Sequence, residues 1–100
     1  SVTLPAASKD ITIDYKAFRG CKKLNAVNNS ENITRIYGGA FRGCTSLKNF
    51  TVSDELILLG KNAFYGCSKL ETVKVNGTAK ALKIYSDAFA KTSSKINFTH

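Results

Sequence analysis

A chain of 100 residues holds one hydrophobic core of modest size, and 43% hydrophobic residues is the share of a globular domain rather than of a disordered tail. Fifteen Lys and Arg against seven Asp and Glu leave a net charge of +8, which favours acidic partners, though only non-specifically. No apolar run approaches the roughly 18 residues of a membrane helix, three cysteines cannot all be paired in a closed disulfide framework, and the one histidine is the terminal His100.

In chain order, the first predicted element is a strand at Val2-Thr3-Leu4-Pro5, the remnant of a partial unit over residues 1–12. Ile13 then opens a pattern that returns along the whole chain: an aliphatic, Ala17-Phe18-Arg19-Gly20-Cys21 shortly after it, Leu24 three residues beyond the Cys and Val27 three beyond that. It recurs from Ile36 with Ala40-Phe41-Arg42-Gly43-Cys44, Leu47, Phe50 and Val52, and from Leu59 with Ala63-Phe64-Tyr65-Gly66-Cys67, Leu70, Val73 and Val75. A worn copy starts at Ile84 with Ala88-Phe89, carries Lys91-Thr92 for Gly-Cys and Lys95 for Leu, and ends near Phe98. The phenylalanines lie 23, 23 and 25 residues apart, and the cysteines 23 and 23. The repeats are thus 13–35, 36–58, 59–83 and 84–100, and such a period fixes the meaning of every position.

Leu47–Val52 and Leu70–Val75 end in the apolar-polar alternation of half-buried strands, so five short strands are expected in all. The segments between are too short for globular helices and are punctuated by Gly20, Gly43 and Gly66. A unit this small cannot enclose its own apolar residues. Stacked in parallel, neighbours bury the Phe, Leu, Val and Ile columns together, and at about 4.8 Å per strand four units span about 20 Å. The expected fold is a repeat solenoid of α/β type, with short parallel strands on one face and turns or single helical turns on the other.

Ala-Phe-x-Gly-Cys-x-x-Leu-x-x-Val-x-Val, with an aliphatic five residues before the Phe, resembles the BspA-like (Treponema pallidum-type) leucine-rich repeats over essentially the whole chain. The resemblance implies a surface-exposed or secreted protein that binds host matrix proteins or other cells. Gly60 matches the glycine that commonly follows the aliphatic, whereas Asp14, Tyr37 and Tyr85 replace it elsewhere.

Zinc sites use close cysteine pairs, so Cys21, Cys44 and Cys67 read instead as a column of small core residues, all reduced. The carboxylates are scattered, with Asp54-Glu55 the one adjacent pair, and no histidine stands near them; neither catalysis nor a cofactor is expected. The strand face is the default binding surface of stacked repeats, with Asn49, Thr51, Thr72, Lys74 and Asn76 as its candidate contacts. Those residues are small and polar, which equally describes a solvated ladder. Arg19 and Arg42 share one repeat position, and Lys22, Lys23, Lys48 and Lys69 lie at the starts of strands, so together they form a candidate basic flank or a merely solubilising one. Asn-x-Ser/Thr occurs at Asn28, Asn32, Asn49, Asn76 and Asn97, as glycan acceptors or as a by-product of strand chemistry.

The leading functional expectation is therefore a non-catalytic adhesion module, extracellular or at the cell surface, that meets a protein or glycan ligand on a host or neighbouring cell. A structural spacer and a binder of acidic glycans are the alternatives. Nucleic acid is disfavoured, since no aromatic platform accompanies the charge. No leader opens the chain, so any signal peptide is expected outside it, and open apolar columns at Val2, Leu4 and Phe98 point to further repeats or to end-to-end self-association.

Overall fold

The computed structural model describes residues 1–53, 55–76, 83–93 and 97–99; Asp54, Lys95 and His100 lie outside them, and Asn76, Asn97 and Phe98 are placed by their strand backbone. Nine short strands are present among the described residues: β1 (Val2–Thr3), β2 (Ile11–Ile13), β3 (Val27–Asn28), β4 (Ile33–Ile36), β5 (Asn49–Ser53), β6 (Leu58–Leu59), β7 (Thr72–Asn76), β8 (Lys83–Ile84) and β9 (Asn97–Thr99). They form three ladders, β1-β3, β2-β4-β6-β8 and β5-β7-β9, and every pairing is parallel.

Two expectations are corrected here. The repeats have two strands each rather than one, because the aliphatic before each Phe is itself a strand residue: Ile13 pairs with Ile36, Ile36 with Leu59, and Leu59 with Ile84. Ile11-Thr12-Ile13 and Ile33-Thr34-Arg35-Ile36 are rich in β-branched residues, which favour extended backbone, but such runs are too short to declare a period. Nor is there an α/β division of faces. The described residues contain no α-helix, only a single 3-10 turn at Ser30–Asn32.

The turns around the phenylalanines explain why no helix forms. Each has two residues in the left-handed region, two before and two after the Phe. The first set is Lys16, Gly39, Asn62 and Asp87, with φ between 57° and 66°; the second is Gly20, Gly43, Gly66 and Lys91, with φ between 60° and 76°. A right-handed helix cannot propagate through either position. The turns instead bond to one another across the repeats: Phe18 N–H donates to the Ala40 carbonyl at 2.7 Å, Phe41 to Ala63 at 2.8 Å and Phe64 to Ala88 at 2.8 Å.

Between the ladders and the turns lies the core. Phe18, Phe41, Phe64 and Phe89 stack face to face with centroids 5.4, 5.2 and 5.4 Å apart, and Phe50 meets Phe41 and Phe64 edge-on. Phe41, Phe64, Leu47 and Leu70 are wholly buried, whereas Phe18 and Phe89, at the two ends of the column, are half-buried. Register follows the sequence period: β5 pairs with β7 at an offset of 23, as in Phe50↔Val73, and β7 with β9 at 25, as in Val73↔Phe98.

Candidate functional site

Strand β5 and its partner β7 run in register over five residues, so side chains that point away from Phe50, Val52 and Val73 fall into columns. Asn49 faces across to Thr72, Thr51 to Lys74 and Ser53 to Asn76. Asn49 and Lys74 are exposed, Thr51 and Thr72 half-buried, and β9 extends the rows with Asn97 beside Thr72 and Thr99 beside Lys74. Asn49, Thr51, Thr72 and Lys74 thus lie together on one polar surface, and the strand backbone places Asn76 next in register. Lys48 and Glu71 approach to 3.9 Å at its margin, an exposed pair that contributes little to stability.

The basic residues separate into two groups. Arg19 is exposed and Arg42 half-buried, and both line a cleft of about 230 Å³ at the turn corner. Its other cations, Lys16 and Lys61, were not singled out by sequence reasoning, and Lys22, Lys23, Lys48 and Lys69 are exposed but do not line it. The floor is Gly38-Gly39. Neighbouring repeats carry Tyr15-Lys16 and Lys61-Asn62 at the same two positions, so the middle repeat leaves a dent between two rows of side chains. That signal is present in the aligned repeats, as a paired glycine flanked above and below by bulk. Arg42 lies over the Tyr65 ring at 4.6 Å and Lys16 over the Tyr15 ring at 4.9 Å. Contacts of this type contribute about 0.5–1 kcal/mol at exposed sites.

The cysteine column is only partly as expected. Cys44 and Cys67 have no exposed surface, and their thiols donate to the carbonyls of Phe18 at 3.2 Å and Phe41 at 3.0 Å, each in the preceding repeat. Burial pushes the Cys44 thiol up to about 11 and the Cys67 thiol up to about 12. Cys21 is exposed rather than core, because residues 1–12 contain no Ala-Phe turn for it to pack beneath. All three thiols are free.

The asparagines likewise divide. Asn32 is buried, and its amide donates to the carbonyls of Pro5 at 3.2 Å and Ala6 at 3.3 Å, which closes it to a glycan in the folded chain. Asn28 and Asn49 are exposed.

Among the described residues no helix is long and apolar enough to cross a membrane. A family model for the BspA type leucine rich repeat region matches residues 1–100 in six copies. No curated protein and no solved structure gives a significant match.

Proposed function

Because the chain belongs to the BspA-type leucine-rich-repeat family, we propose that it is a non-catalytic recognition module whose β5-β7-β9 face meets a protein or glycan ligand outside the cell. One observation carries this reading: a polar surface shared by β5 and β7, with Asn49, Thr51, Thr72 and Lys74 held in fixed columns that the β9 backbone continues in register. We read each repeat as one coil of a short solenoid, about four coils after the partial one at residues 1–12, and residues 1–100 as a single domain. The agreement between the 23- and 25-residue register offsets and the Phe spacing supports that count.

Anchoring residues of tight interfaces are typically Trp, Tyr and Arg, and the face is built from small polar residues. It therefore suits a weak contact repeated many times, the habit of an adhesion protein at a cell surface. The test is retention of immobilised chain by an array of matrix proteins and glycans, with Asn49→Arg and Thr72→Arg placed across the columns. Retention of at least one ligand by the wild type, and its loss in both variants, is the expected result. A ligand held equally by all three proteins, or no retained ligand, would overturn the assignment of the face.

A further inference from the structure

We infer that the cleft over Gly38-Gly39 is a second, separate binding site, and that its ligand is a sulfated sugar unit of an acidic polysaccharide. Four cations, Lys16, Arg19, Arg42 and Lys61, line a concavity of about 230 Å³, a volume suited to a single sugar ring bearing an anionic substituent. Two of them, Lys16 and Arg42, rest over tyrosine rings, and none of the four is neutralised by a carboxylate among the described residues. Elsewhere Arg35 lies 3.6 Å from Asp10 and Lys48 lies 3.9 Å from Glu71. Neighbouring like charges raise one another's energy, and an anion placed among them relieves that repulsion.

The concavity has a specific origin. Gly38 and Gly39 stand where the repeats above and below place Tyr15-Lys16 and Lys61-Asn62, so side chains wall the dent on two sides while the floor is backbone. A Cβ on Gly38 would come within 3.2 Å of the Lys61 carbonyl and 3.4 Å of the Tyr15 ring, so the walls stand close to the floor and a side chain there would crowd them. Arg42 is held over Tyr65 and so kept in place at the rim.

The aromatic content favours a sugar over a nucleic acid. Successive bases need a run of aromatic platforms, whereas this cleft has one exposed ring, Tyr15 at 63%. The C–H face of a sugar needs only one. Lys16 lies over the Tyr15 ring at 4.9 Å, as Arg42 does over Tyr65 outside the cleft, so a sugar would use the part of the Tyr15 ring that its exposure leaves open. This site uses none of the strand-face residues, so its failure and that of the strand-face reading are scored on different variants.

The experiment is calorimetric titration of the full chain with a heparin hexasaccharide, hyaluronan, dextran, inorganic sulfate and an oligonucleotide of matched charge. Lys16→Asn with Lys61→Gln removes two charges inside the cleft, and Lys22→Gln with Lys23→Gln removes two outside it. Asn is chosen because Lys16 has φ 57°, which Asn tolerates. The cleft variant is expected to lose about tenfold in heparin affinity and to flatten the log–log salt slope by about two, with the outside variant changing by less than about twofold. Tyr15→Ser should weaken the hexasaccharide and leave inorganic sulfate unchanged. Equal losses in the two double variants would reduce the effect to net charge and overturn the site. Dextran or hyaluronan binding as tightly as heparin would overturn the sulfate requirement, and a tighter oligonucleotide, or equally tight free sulfate, would overturn the sugar.

Discussion

Cys44 and Cys67 show how one side chain can serve two purposes in a repeat. Each fills a small apolar slot and also satisfies the second lone pair of a phenylalanine carbonyl that already accepts from the cysteine N–H of its own turn, as Phe18 does from Cys21 at 3.2 Å. At neutral pH an alkylating reagent should therefore modify Cys21 at once and leave Cys44 and Cys67 untouched until the chain unfolds, a result that mass spectrometry of the labelled protein reads directly. The same two thiols make stability depend on alkaline pH. The folded chain holds their protons more tightly than an unfolded chain with ordinary thiols at 9.0, so this stabilisation is complete below pH 9.0 and is lost as pH rises through about 11 to about 12. Melting curves of the wild type should fall more steeply over that window than those of a Cys44→Ser/Cys67→Ser variant. Lys91 is the counterpart on the backbone. It occupies a left-handed position that glycine fills in the other three turns, so Lys91→Gly should stabilise the fold by up to about 1 kcal/mol and Gly43→Ala should destabilise it by at least as much, both measured by urea denaturation.

At the scale of elements, the period in the sequence announced the turns, the buried columns and the strand face, since each depends on one residue type recurring at one position. The second ladder was not legible. A strand of two residues, such as Leu58–Leu59, offers no alternation to detect, and its extended backbone comes from parallel neighbours rather than from its own side chains. The cleft was half legible: Arg19 and Arg42 were placed by the repeat, but Lys16 and Lys61 join them only because of two glycines in the repeat between. The asparagine-rich stretch was ambiguous as sequence and is structural in the fold. Asn29 donates to the Leu4 carbonyl at 2.8 Å and Asn32 to Pro5 and Ala6, so this segment ties down the chain that precedes β2. Replacing the buried Asn32 by Leu removes its bonds to two exposed residues, whose carbonyls water can then meet, and should cost about 1 kcal/mol. Hydrogen exchange should accelerate first over residues 1–10, and uniform acceleration across the chain would contradict the tie.

For the whole molecule, the phenylalanine column is the common axis of every repeat, and its ends differ from its middle. Phe41→Ala removes a ring stacked on both sides and should cost about 3–5 kcal/mol, a large fraction of the stability of a domain this size. Phe18→Ala, at a half-buried end, should cost clearly less, and denaturant midpoints give the comparison. The aliphatic column opens at one end only, with Ile13 at 5% exposure, Leu59 at 2% and Ile84 at 55%.

The gradient along the phenylalanine column also sets the order in which the protein comes apart. Each turn is held by the one beneath it, as Phe41 is by Ala63 and Phe64 by Ala88, so an inner layer cannot open while its neighbours stay closed. Heat or a pulling force should peel the stack layer by layer from its outer edges, like a zipper worked from either end, and the slot between Phe41 and Phe64 should be the last to admit solvent.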